Sequence, residues 1–105
     1  MQLIWYPEAI EELHRQLAFC RKIHGPLATL RARDNVKREA GRLAVSPTIG
    51  AKELLLEERQ LEYRSLVIQP HFKLIYHIDE SADTVYIVDF WNTLREPFAL
   101  ANRLK

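Results

Sequence analysis

Between Tyr63 and Pro97 the chain reads YRSLVIQPHFKLIYHIDESADTVYIVDFWNTLREP, three strand-like runs with only short turns between them. Apolar and polar side chains alternate there with a period of two, and Val, Ile, Tyr and Phe are frequent, the pattern of half-buried strands. Strands are predicted at about 61–69, 71–79 and 84–91, with turns at Gln69-Pro70-His71 and from Asp79 to Asp83. Runs joined this closely pair antiparallel, so the segment predicts a three-stranded meander that needs cover on one face. Arg64, Lys73 and Arg95 are set into the apolar sequence, which places isolated positive charges on a sheet surface, where they suit a phosphate or an acidic partner.

The cover comes from upstream. Residues 2–6, QLIWY, read as a short strand ended by Pro7, a residue suited to a first helical turn. Ile10, Leu13, Leu17, Cys20 and Ile23 then recur at helical spacing, with Glu8, Glu11 and Glu12 at the start and Arg21 and Lys22 at the end, which complements the helix dipole. His24-Gly25-Pro26 is a compact break, and a second helix to about Ala44 follows, with Arg31, Arg33, Lys37, Arg38 and Arg42 over much of its surface as a solvated charged face. The two helices are expected to form an antiparallel hairpin. Ser46-Pro47-Thr48-Ile49-Gly50 is a linker, and Leu54-Leu55-Leu56 reads as either a helical turn or a strand. The fold class predicted is α+β: a short strand, a helical hairpin, and a three-stranded antiparallel sheet packed on it.

A two-residue loop at Pro70-His71 predicts Gln69 opposite Phe72, and hence Ile68 facing Lys73, Leu66 facing Ile75 and Arg64 facing His77. One face then carries Arg64, Lys73 and His77. The other carries Tyr63, Val67, Phe72, Leu74, Tyr76 and Ile78 and packs under the helices. The same meander allows Lys73 a cross-strand pair with Asp89.

At 105 residues the chain is expected to be a single domain, 1–105, and its 48% hydrophobic and 28% charged residues argue against disorder. The opening MQLIWYPEA has no basic segment followed by a long apolar one, and no apolar run approaches the ~20 residues of a membrane span. A cytoplasmic location without membrane contact is expected. Cys20 has no partner for a disulfide and sits at an apolar helical position, as a packing residue does. His14, His24 and His71 share no metal-ligand spacing with Cys, Asp or Glu, so no metal and no cofactor is expected. Residues 1–42 hold eight Lys/Arg against five Asp/Glu and residues 43–105 seven against nine, too little excess for general nucleic-acid coating or for sequence-specific DNA binding by this chain alone.

This order of elements resembles the RelE/ParE superfamily of toxin–antitoxin toxins. IWYPEAIEEL is similar to the family's opening strand and first helix, YRSLVIQPHFKLIYHID to its two central strands, and VYIVDFWNTLREP to its closing strand and arginine-proline ending, a form seen in the ParE-like and plasmid-stabilisation branches. The resemblance covers nearly the whole chain. It implies a growth-inhibiting toxin neutralised by a cognate antitoxin, with two activities in the superfamily: cleavage of messenger RNA on the ribosome by RelE-like members and poisoning of DNA gyrase by ParE-like members.

By that resemblance, Arg64, Lys73 and Arg95 match basic residues of the family site. The second member of the family's basic pair falls on Leu66, and its C-terminal tyrosine has no counterpart in FALANRLK. RNA cleavage requires a base, cations for the phosphate and an acid for the leaving oxygen, so His77 is the remaining candidate acid or base, with a partly exposed strand histidine as its plain reading. Tyr76 matches the tyrosine ending a central family strand and reads as core. Trp91, Asn92 and Arg95 at the end of the last strand are the candidate partner contacts, with Trp91 stacking on a base or a partner, or else capping the sheet edge. The expectation is the ParE-like branch, acting by binding. A ribosome-dependent endoribonuclease is the alternative, and a non-toxic binding or regulatory member is the third.

Overall fold

The computed structural model describes residues 1–95, 99, 100 and 103. Strand β1, Gln2–Trp5, leads into a long helical segment, α1, Pro7–Val45. Strand β2, Ala51–Lys52, and a 3₁₀ turn, Leu54–Leu56, precede β3, Arg64–Ile68, β4, Phe72–Asp79, and β5, Thr84–Asn92.

Helix α1 is continuous except at Gly25, whose φ of 84° and ψ of 177° lie in a region essentially closed to residues with a Cβ. Pro26 follows at once and opens the second arm. A straight helix of 39 residues would run about 58 Å, more than the 41 Å long dimension of the molecule, and Ala9 and Leu43 share one core cluster, so the chain doubles back at Gly25. The break expected over three residues is thus concentrated in one, with no separate connecting turn between the arms.

The sheet is wider than the predicted meander and is mixed. Its order is β1-β5-β4-β3-β2, with β1 parallel to β5 and the other pairs antiparallel. Two-residue β2 is too short to show a period, and β1 pairs with a strand near the far end of the chain, which no local pattern reports. Leu54–Leu56 resolves as the helical-turn alternative.

The β3–β4 register differs by one residue from the prediction. Ile68 faces Phe72, Val67 faces Lys73, Leu66 faces Leu74, Ser65 faces Ile75 and Arg64 faces Tyr76, because the loop has three residues, Gln69-Pro70-His71, instead of two. A one-residue slip turns every side chain of one strand to the opposite face. Phe72, Leu74, Tyr76 and Ile78 do pack toward the helices, but on β3 it is Leu66 and Ile68 that join them, while Val67 is exposed on the outer face and Tyr63 packs with the outer cluster.

The sheet therefore has two cores. Toward the helices, Ala9, Val36, Ala40 and Leu43 meet Leu66, Ile68, Leu74, Tyr76, Val85, Ile87 and Phe90. On the outer face, Leu56, Ile75, Val88, Trp91 and Leu100 form a second cluster. Ile75 pairs with Asp89 and Tyr76 with Ile87, so Val88 is an extra residue in β5, a bulge that gives Val88 to the outer cluster while Ile87 stays in the helix-side core.

Candidate functional site

The register separates the three cations. Arg64 faces Tyr76 on the helix side of the sheet, whereas Lys73 lies on the outer face opposite Trp91. The predicted grouping of Arg64, Lys73 and His77 on one face is thereby corrected, and so is the pairing of Arg64 with His77 across the ladder. The two do still line one cavity of about 290 Å³ at the start of β3, together with Thr48, Glu62 and Glu80.

Each cation has an assigned structural contact. Arg64 donates from Nη1 to the Gly50 carbonyl at 2.8 Å. The same turn is held by Tyr76, whose hydroxyl accepts from the Gly50 N–H at 3.0 Å and donates to the Pro47 carbonyl at 2.7 Å. Arg64 and Tyr76 thus fasten the linker between α1 and β2. Lys73 Nζ lies 2.6 Å from Glu53 Oε2, and both side chains are largely buried, at 16% and 6% exposure. Glu53 takes the place of Asp89, the partner predicted for Lys73. Asp89 faces Ile75 and pairs instead with Arg103, Nε to Oδ2 at 2.8 Å. Burial raises the Asp89 carboxyl above its ordinary 3.8, opposed by the nearby Arg103 charge.

Arg95 is exposed, and its guanidinium stands 4.5 Å from the centroid of the Trp91 ring. Trp91 is only 2% exposed, with Arg103 also over it at 5.9 Å, so the ring is a wall of the outer core and not an open stacking platform. The Asn92 side chain accepts from the Leu94 N–H at 2.9 Å and shapes the turn that presents Arg95. Pro97 and the tail segment FALANRLK, apart from Ala99, Leu100 and Arg103, lie outside the described residues.

His77 is the most unusual polar group of the outer face. It is 8% exposed, and its Nε2 has no hydrogen-bond partner among the described residues. Three tyrosines surround it: Tyr86 stacks at 5.1 Å between ring centroids, while Tyr63 and Tyr6 stand edge-on at 5.8 and 6.4 Å. The plain expectation of a partly exposed strand histidine is replaced by a buried one in an aromatic cage. Burial lowers its pKa from 6.5, against the pull of the Asp79 carboxylate. Tyr63 is raised above 10.0 by burial and by Tyr6 beside it.

That shift fixes a pH dependence. The unfolded histidine takes up its proton at a higher pH than the folded one, so the contribution of neutral His77 is complete above 6.5 and falls as pH drops from 6.5 through the lowered folded value. Asp89 works oppositely: its raised carboxyl favours folding at low pH, and this is lost as pH rises from 3.8 through the folded value. Urea midpoints of wild type are expected to fall between about pH 7.5 and about pH 5.5, and His77→Phe is expected to remove most of that fall. An unchanged pH slope in the variant would assign the acid sensitivity elsewhere.

A third feature is an apolar groove of about 410 Å³ between the two arms of α1 and the β3–β4 turn, lined by Phe19, Cys20, Val36, Pro70, Phe72 and Leu94 among others. Cys20 is half-buried here as a groove residue. The tyrosine cage, Glu53 and the Arg103–Asp89 pair were not foreseen. Only Tyr86, directly opposite His77 in adjacent strands, had a local signal in the alternation of β5. Among the described residues no group of three or more His, Cys, Asp or Glu has the arrangement of a metal site. No helix among them is long and apolar enough to cross a membrane.

No protein-family model matches the sequence, and no curated protein matches it. Among solved structures, the chain is similar to one from the chromosomal ParDE TA system from P. aeruginosa, with a TM-score of 0.72 at 18% identity, over 88% of this chain and 95% of that one. At this identity the likeness is one of architecture, and it agrees with the resemblance carried by IWYPEAIEEL and YRSLVIQPHFKLIYHID. The chain shares its fold with the matched chain of that ParDE system.

Proposed function

We propose that the chain is the single-domain toxin of a type II toxin–antitoxin pair, a growth inhibitor held inactive in the cytoplasm by its cognate antitoxin and of the kind that stabilises plasmids. The observation that carries this reading is the fold shared with a chain of a ParDE system. Within it, the ParE-like mode, poisoning DNA gyrase by binding, is the better supported. Arg64 is engaged by a backbone carbonyl and Lys73 is neutralised by Glu53, so the cations of a phosphodiester-cleaving site are not assembled free. Exposed Arg95, oriented by Asn92 and Trp91, is the residue proposed to contact the target. The apolar groove beside the hairpin suits an antitoxin helix.

One observation favours the ribonuclease alternative: His77 and Arg64 line a single cavity, as an acid–base group and a cation for a phosphate would. Two assays separate the readings. The ParE-like proposal expects inhibition of gyrase supercoiling, weakened by Arg95→Ala, and no cleavage of messenger in a ribosomal translation assay. Cleavage lost in His77→Ala with gyrase unaffected overturns it. Harmless high-level expression of the chain without any partner sinks the toxin reading in both forms.

A further inference from the structure

A further cavity, of about 480 Å³, opens where the start of α1 meets the outer face of the sheet. Tyr6 and Tyr63 line it, with Glu8, Glu11 and Arg15 of α1 and Arg103 of the tail. Spacings of three and four residues put Glu8, Glu11 and Arg15 on one face of the helix. The tyrosines belong to a continuous row of rings: Tyr6 and Tyr63 both stand edge-on to His77, and Tyr86 stacks on His77 and meets Tyr6 at 6.0 Å. Behind them His77, its pKa lowered by burial, carries no charge at neutral pH.

The charges around the cavity are not equivalent. Arg15 lies 3.1 Å from Glu12, while Arg103 lies 2.8 Å from Asp89 and 3.7 Å from Glu12, both of them buried carboxylates. Both guanidiniums are therefore engaged within the fold. Glu8 and Glu11 are exposed and make no hydrogen bond or ion pair among the described residues. With Glu12 and Asp89, four carboxylates meet two guanidiniums, so the cavity attracts cations, and the tyrosine faces add to that attraction. Arg95, 4.5 Å from the centroid of Trp91, shows the outer face holding an arginine against a ring in this way.

From these observations we infer that the cavity is a docking site for an arginine side chain of a partner polypeptide. The guanidinium lies against Tyr6 and Tyr63 and donates to Glu8 and Glu11, which its planar fork engages together better than the point charge of a lysine does. Tyr6 is 37% exposed and both glutamates face solvent, so the site is open to a side chain arriving from outside and does not enclose a small molecule. The gyrase reading, the ribonuclease reading and the apolar groove use none of these four residues, and the inference stands or falls separately from them.

Titration of the isotope-labelled full chain with acetyl-Gly-Arg-Gly-amide at low salt, followed by backbone amide shifts, tests it. Saturable binding with a dissociation constant of about 1 mM is expected, with the largest shifts at Glu8, Glu11 and Tyr63. The same peptide carrying citrulline, which keeps the shape and loses the charge, is expected to bind about tenfold more weakly, and the lysine peptide about threefold more weakly. Glu8→Gln/Glu11→Gln is expected to weaken the arginine peptide about tenfold and Tyr6→Leu about threefold. These side chains are exposed, and amide spectra unchanged away from the site confirm that the variants fold. An absence of shifts up to about 10 mM peptide, or citrulline or lysine peptides that bind as tightly as the arginine one, would overturn the inference. So would agmatine binding more tightly than the peptide, or inorganic phosphate moving the same amides further than the peptide does.

Discussion

Lys73→Ala is expected to lower the folding free energy by about 3 kcal/mol, because it strands the Glu53 carboxylate in a place almost without solvent. The removed ammonium is 2.6 Å from Glu53 Oε2, and the remaining contact of that side chain, Oε1 accepting from the Leu55 N–H at 3.4 Å, is long. The loss stays below that of a wholly enclosed pair, since Lys73 keeps some exposure through which water can reach the carboxylate. Replacing both members, Lys73→Met with Glu53→Leu, is expected to recover most of it, as apolar substitutes for a buried pair commonly do. Chemical denaturation of the two single variants and the double one measures this directly. The cycle also decides what Lys73 is for. If the double variant is stable and still inhibits its target, the lysine belongs to the fold; if it is stable and inert, the lysine has a second duty at the sheet surface.

Gly50→Ala has the other large expected effect. A Cβ at position 50 would lie 2.5 Å from the Ser65 carbonyl oxygen and 2.5 Å from the Tyr76 hydroxyl, so both backbone and ring must shift. About 3 kcal/mol of destabilisation is expected, at the upper end for overpacking because one of the overlapped atoms is backbone. Tyr76→Phe is expected to cost about 2 kcal/mol by leaving the Gly50 N–H and the Pro47 carbonyl without their partner. The two changes act on the same few atoms. Their combination should cost clearly less than the sum, since removing the hydroxyl also removes one of the overlaps, and full additivity in denaturant midpoints would refute a shared mechanism.

Much of the architecture was legible because its signals are local. The alternation from Phe72 to Asp79 marks β4 within a residue of its observed start, and the Gly25-Pro26 pair marks the reversal of the helix. What was not legible depended on pairing over distance or on a single loop residue. Counting Gln69 as a strand residue moved Arg64 to the face that Lys73 and His77 do share, which produced the predicted grouping of the three. Nothing near Glu53 in the sequence points to Lys73, twenty positions on, nor does anything near His77 announce Tyr6 and Tyr63. The aromatic cage is assembled by the sheet edge and the loop before β3, elements whose positions only the finished fold supplies.

The parallel pairing of β1 with β5 has a consequence for how the chain is made. Gln2–Trp5 are synthesised long before their hydrogen-bonding partners at Thr84–Ile87. Until then β1 has no ladder to join, and Leu3 and Trp5 have no completed core to cover. A nascent or truncated chain ending before β5 therefore exposes an unpaired strand and is a substrate for proteases and chaperones. Under the toxin reading, the molecule becomes harmful only once β5 exists, and synthesis interrupted before it yields debris instead of a partial poison.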